Sequence, residues 1–195
     1  MNQKAFIFYG RSGSGKGTQA QLLIEHLKKT TDTDVVYIET GAALREFMTR
    51  DGYISKMTKD VLDEGGLLPA FIPVWIWTDI LREKYTGKEH LVLDGLARRP
   101  KEAPVLGTAL EFLGFVKPTV LTIDVSHDWA VEKLLARGRK DDNEEDIRNR
   151  LKWYDSEVEG AISYFKGNGS YEVLTINGEQ TIEEVHKEIL EKTGQ

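Results

Sequence analysis

No cysteine occurs among the 195 residues, which excludes disulfides and cysteine-ligated zinc and agrees with a reducing, cytoplasmic setting. No run approaches the ~18 apolar residues of a membrane-spanning helix. The apolar segment near the start ends at Tyr9, is broken by Gly10 and is too short for a secretory signal. Basic residues are in deficit, 26 Lys and Arg against 32 Asp and Glu, for a formal net charge of −6. A dedicated nucleic-acid binder, which carries a basic balance or stripe, is therefore not expected. The four histidines, His26, His90, His127 and His186, fall without metal-ligand spacing and are assigned no role. What is present is a 40% hydrophobic chain of a length that suits one α/β domain with small insertions.

Apolar runs bounded by turn signals alternate with helical periodicity, the pattern of repeated βα units and a parallel sheet with helices on both faces. Strands are predicted at 4–9, 34–38, 90–94, 119–125 and 171–176, short segments rich in β-branched and aromatic residues. Leu22, Leu23 and Leu27 mark a helix over 15–29, and Trp129, Val131, Leu134 and Leu135 another over 128–137. Ile147, Leu151, Tyr154, Val158, Ile162 and Phe165 recur every three or four residues, so one long amphipathic helix is expected over 144–166, with Gly160 the place for a bend. Thr181 and Glu184 predict a capping box at the start of the last helix. About fifty residues, 39–89, separate the second strand from the third; that is too many for a simple crossover and reads as a helical insertion. Trp75 and Trp77, in the return helix of that insertion, are read as core, with base stacking as the alternative. No repeat or linker divides the chain, so a single domain over 1–195 is expected.

The first predicted strand runs directly into Gly10-Arg11-Ser12-Gly13-Ser14-Gly15-Lys16-Gly17-Thr18, and a helix follows at once. Triphosphate oxygens need many donors at close range, and the glycines let backbone N–H groups turn inward. The helix N-terminus adds its positive end, and Lys16 brings a mobile charge to the β- and γ-phosphates. The pattern GxxxxGK[ST] is met through Lys16, but Gly17 follows and Thr18 comes one place later. Farther on, Leu91-Val92-Leu93-Asp94 is an apolar strand ending in a carboxylate, the place for an acid that orients the hydration shell of Mg²⁺.

Residues 10–19 read Gly-x-x-Gly-x-Gly-Lys-Gly-Thr-Gln, which resembles the phosphate loop of the adenylate kinase family of nucleoside monophosphate kinases. Asp94-Gly95-Leu96-Ala97-Arg98 is similar to that family's Asp-Gly-Phe-Pro-Arg, with Leu96 and Ala97 in place of Phe and Pro. Thr40-Gly41-Ala42-Ala43-Leu44-Arg45 resembles its Ser/Thr-Gly-Asp-x-Leu-Arg, and Gly66-Leu67-Leu68-Pro69 its Gly-x-Leu-Val-Pro. Arg137-Gly138-Arg139-Lys140-Asp141-Asp142-Asn143, followed by Arg150, resembles its lid and the helix after it.

The resemblance implies a P-loop NTPase-type three-layer sandwich around five parallel strands. It also implies reversible, Mg²⁺-dependent phosphoryl transfer from ATP to AMP giving two ADP, an acceptor-binding insertion over 40–69 and a lid over 137–143, both closing on the substrates to exclude water. It places ATP on Gly13, Ser14, Gly15, Lys16, Gly17, Thr18, Lys133 and Arg137. AMP falls to Thr40, Gly41, Arg45, Gly95, Arg98, Glu102, Arg139 and Arg150. Catalysis falls to Lys16, Arg98, Arg137, Arg139 and Arg150, and Mg²⁺ to Asp94 through water. ATP and AMP are then the partners of a monomer that needs neither nucleic acid nor membrane.

Three further features depart from the family pattern. Only Gly138 separates Arg137 from Arg139, which makes the lid short. Lys133 stands where an arginine commonly stacks on the donor base, so the planar face is lost. Glu102 stands where the AMP kinases usually place a glutamine, and an ionised carboxylate can only accept hydrogen bonds. GMP or broad acceptor specificity is the alternative on that ground. A P-loop kinase for another small acceptor and a non-catalytic nucleotide-binding module also stay open. A GTPase switch would share the loop, and Asp63-Glu64-Gly65-Gly66 satisfies DxxG, but no Asn-Lys-x-Asp is present.

Overall fold

Five strands form the sheet: β1 Ala5–Gly10, β2 Val35–Glu39, β3 His90–Asp94, β4 Thr119–Asp124 and β5 Glu172–Asn177. They pair in the order β2-β3-β1-β4-β5, every pair parallel. These are the strands predicted from the sequence, each within a residue at either end. The computed structural model describes residues 3–63, 66–138 and 144–195. β1 lies at the centre with all six residues buried, which is why it reads as an unbroken apolar run rather than an alternating one.

Side chains along β1 divide the core in two. Phe6 and Phe8 pack on one side with Leu23 and Leu27 of α1 (Lys16–Thr30). Ala5, Ile7 and Tyr9 pack on the other, beneath helices described below. Between β2 and β3 the chain forms α2 (Thr40–Phe47), α3 (Tyr53–Asp63) and α4 (Phe71–Lys84). This is the predicted helical insertion, and Phe47, Leu68, Ile72 and Ile76 give it a small core of its own. α5 (Ala103–Phe112) and α6 (His127–Arg137) follow β3 and β4 in turn.

The expected single helix over 144–166 is three segments: α7 (Glu144–Trp153), a π-helical turn (Tyr154–Val158) and α8 (Glu159–Lys166). The irregularity is thus the widened turn, not Gly160. Gly160 lies inside α8, where a Cβ would stand 2.7 Å from Pro100, so glycine there permits close packing. Phe165 of α8 and Leu106 and Leu110 of α5 cover the Ile7 side of the sheet. α9 (Ile182–Thr193) covers the Phe8 side through Val185 and Ile189 and completes the three-layer α/β sandwich. Thr181 and Glu184 form the predicted capping box.

The two tryptophans of α4 part company. Trp77 is fully buried, as expected, but Trp75 is 46% exposed and meets Phe47 edge-on at 5.2 Å. Residues two apart on a helix point to nearly opposite sides, so one core cannot take both. Among the described residues no helix is long and apolar enough to cross a membrane.

Candidate active site

The carboxyl ends of the parallel strands open into a cleft of about 1210 Å³, at the edge where open α/β sheets bind ligands. A single small-molecule pocket usually measures about 300–1,000 Å³, so this one has room for more than one nucleotide. Seven lysines and arginines line it against four carboxylates. The site is therefore cationic inside a chain whose net charge is −6.

β1 delivers the phosphate loop to the middle of the cleft. Gly15 caps α1 in a left-handed conformation (φ 81°) and, lacking a side chain, makes no cap hydrogen bond to that helix end. Its first N–H groups are thus turned toward the cleft with no side-chain cap, the arrangement that favours an anion. Lys16 is the first residue of α1, and burial of its ammonium brings its pKa down to about 8, with Asp94 opposing the shift and Arg98 and Arg137 adding to it. Phe8 of β1 pairs with Asp94 of β3, which sets that carboxylate beside the start of the loop. Tyr37 on β2 donates to Asp94 Oδ2 at 3.2 Å. Asp94 Oδ1, Ser14 Oγ, Gln19 Oε1 and Thr40 Oγ1 are buried in the cleft wall with no hydrogen-bond partner among the described residues. Native cores leave few such atoms unsatisfied, so four of them around one cleft mark a surface shaped for a polar ligand.

Beyond Asp94 the backbone turns sharply. Ala97 sits at φ 50°, a region closed to proline, so the proline of the family pattern could not adopt this turn. The phenol of Tyr9 donates to the Ala97 carbonyl at 3.0 Å, and Arg98 Nε donates to the Gly95 carbonyl at 2.8 Å. On the β2 side of the sheet, Thr40 and Gly41 open α2, and Arg45, one turn on, pairs with Glu39 at 3.1 Å. Glu102 is only 3% exposed. Burial raises its pKa against the field of Arg99 and the N–H groups of Arg98 and Arg99, which favour the ion.

On the β4 and β5 side, Lys133 Nζ lies 4.5 Å above the ring of Trp129 and 3.3 Å from Glu132. Arg137 from α6, Arg150 and Trp153 from α7, Gln180 and Thr181 from the turn between β5 and α9, and Ile182 at the start of α9 complete the lining.

Gly13, Ser14, Gly15, Lys16, Gly17, Thr18, Thr40, Gly41, Arg45, Asp94, Gly95, Arg98, Glu102, Lys133, Arg137 and Arg150 all line this one cleft. Arg139, with the rest of the short lid, lies outside the described residues. Glu102 is the buried residue just before α5. Sequence reasoning passed over Trp129, Arg99, Trp153 and the residues 180–182. Trp129 stood one helical turn from Lys133, and the β5 end lies at the same sheet edge as the loop; these were the available signals.

Comparison with known proteins agrees with this geometry. The family described as Adenylate kinase matches residues 8–170. Adenylate kinase 1 of Nostoc sp. is 37% identical over 188 residues, covering 96% of this chain and 97% of that protein. Adenylate kinase 1 of Synechocystis sp. is 34% identical, covering 93% of this chain and 92% of the relative. Adenylate kinase of Corynebacterium urealyticum is 32% identical, covering 94% and 96% respectively. With the match running through the phosphate loop, the Asp94 turn and the helix of Arg150, the chain belongs to the adenylate kinase family.

Proposed function

We propose that this protein catalyses reversible, Mg²⁺-dependent transfer of the γ-phosphoryl group of ATP to AMP, giving two molecules of ADP. The observation that carries this reading is the excess of cations in a cleft with room for two nucleotides, centred on Lys16 and Asp94. A binding module would need the loop alone. Phosphoryl transfer needs fixed positive charge on both sides of the moving group, and Arg98 from the β3 side faces the same cleft as Arg137 and Arg150 from α6 and α7.

In this account the loop backbone and Lys16 hold the triphosphate, and Arg45 and Arg98 grip the monophosphate with forks that match its oxygens. Arg45 must exchange Glu39 for phosphate to do so, a small cost for an ion pair this exposed. Arg137 and Arg150, with Arg139 from the lid, surround the transferring group. The insertion over 40–69 would close on the acceptor.

The residues fit Mg²⁺. Asp94 offers a buried carboxylate oxygen without a protein partner and Thr18 a hydroxyl at the cleft wall. Among the described residues no group of three or more His, Cys, Asp or Glu could cage a metal, as suits an ion bound mainly by phosphates and water. When bound, it would neutralise charge on the β- and γ-phosphate oxygens.

A coupled assay with ATP and Mg²⁺ against AMP, GMP, CMP, UMP and dTMP tests class and acceptor together. AMP is expected to be the best acceptor, and absence of turnover with every monophosphate would refute the reading.

A further inference from the structure

Arg11 belongs to the phosphate loop but is not among the residues lining the cleft. Its guanidinium reaches Asp155 instead, with Nη2 at 2.8 Å and Nε at 3.2 Å from the same carboxylate oxygen. Nη1 donates to the Val125 carbonyl at 2.7 Å and to Asp124 at 3.2 Å, and the guanidinium carbon stands 5.3 Å from the centre of the Tyr154 ring. The second oxygen of Asp155 is 2.8 Å from Nε2 of His127.

One carboxylate thus joins three segments. Arg11 precedes Lys16 in the loop, His127 opens the helix of Lys133 and Arg137, and Asp155 lies just beyond Arg150 in the π-helical turn. Turns of that kind are rare, occur mostly as single widened turns within α-helices, and are frequent at functional sites. An ordinary surface ion pair contributes little, but the Arg11 side chain is 16% exposed and held by two partners besides Asp155. Burial works against its charge, but the hydrogen bond and field of Asp155, with the fields of Tyr154 and Asp124, together outweigh burial, so its pKa stands above the ordinary value.

We propose that Asp155 is a positioning residue which, through Arg11 and His127, locks the phosphate loop and the start of α6 to the helix of Arg150. The cations of three segments are then held at a fixed separation around the transferring phosphoryl group. The proposal rests on the kinase reading above, and neither Arg11 nor Asp155 touches substrate in it.

The test compares Asp155→Ala, Arg11→Ala, the double variant and Asp155→Asn with the parent protein. Measured are kcat, the KM for each nucleotide, Tm, and amide exchange of residues 11–15 and 150–158 without nucleotide. Misplaced catalytic groups cost rate steeply, so Asp155→Ala should lower kcat about tenfold or more with little change in acceptor KM. Exchange should quicken in both segments. The double variant should lose no more kcat than the worse single one, and Asp155→Asn, which keeps an acceptor for Arg11, should recover part of the loss. Unchanged exchange in both segments, or losses of kcat that simply add or merely follow a falling Tm, would overturn the proposal. Should the parent protein phosphorylate no monophosphate, the kinase reading fails, and the exchange data still decide whether the clamp exists.

Discussion

The phenol of Tyr9, in the central strand, donates a 3.0 Å hydrogen bond to the carbonyl of Ala97, the described non-glycine residue with a positive φ. Such backbone persists only where its surroundings hold it, and this bond helps hold the turn between Asp94 and Arg98. Tyr9→Phe leaves a buried carbonyl unpartnered, which costs about 1–3 kcal/mol. Tm should fall by about 2–4 °C per kcal/mol, and acceptor KM should rise because Arg98 loses its fixed base. Thermal unfolding beside acceptor kinetics checks both. An unchanged Tm would show that the bond contributes nothing.

Lys16 titrates near the working pH. With its pKa brought to about 8 by burial, the free protein has lost half of this charge at that pH and loses the rest above it. The triphosphate favours the charged form, so binding takes up a proton there, and affinity for ATP should weaken by up to about tenfold per pH unit above it. Calorimetry at pH 8 in two buffers of different ionisation enthalpy measures the uptake. Lys16→Met should abolish the proton uptake while lowering turnover by orders of magnitude.

Arg98 is expected to act on the acceptor. Charge-assisted hydrogen bonds are worth about 1.5–3 kcal/mol each, so Arg98→Ala should lower kcat/KM for AMP about a hundredfold or more. The KM for ATP should hardly move. Arg98→Lys should recover little, since an ammonium lacks the fork. Steady-state kinetics with each nucleotide varied in turn provide the check.

Glu102 should make acceptor choice depend on pH. A protonated carboxyl can donate to adenine N1 and accept from its amino group, whereas the ion can only accept and suits the adjacent donors of guanine. Because burial raises its pKa, the protonated form persists farther up the pH scale than for an ordinary glutamate. Preference for AMP over GMP should therefore be greatest at the acid end and decline as pH rises. Glu102→Gln should sharpen the preference and remove this dependence. Comparing kcat/KM for the two acceptors across pH, in both variants, decides the matter.

The phosphate loop and Asp94 were legible because their chemistry is local: a strand end, a run of glycines and the helix of Lys16 adjoin in the chain. β3 was legible because its apolar run Leu91-Val92-Leu93 is short and bounded by His90 and Asp94. The π-helical turn was not legible. Its core residues, from Ile147 to Phe165, keep three- and four-residue spacing whether or not a turn is widened. The Arg11–Asp155 pair spans 144 positions, and no periodicity reports a contact of that range. Trp129, Gln180 and Ile182 reach the cleft only through the sheet order that places β4 beside the loop strand and β5 on the far side of β4.

Phosphorus NMR of the protein with ATP, AMP and Mg²⁺ follows the transferred phosphoryl group directly. Transfer to AMP should give two ADP for each AMP consumed, no accumulation of inorganic phosphate on that timescale, and the same equilibrium mixture when the reaction starts from ADP alone. Lys16→Ala should slow both directions alike. Inorganic phosphate appearing as ATP disappears, with AMP untouched, would contradict transfer to AMP.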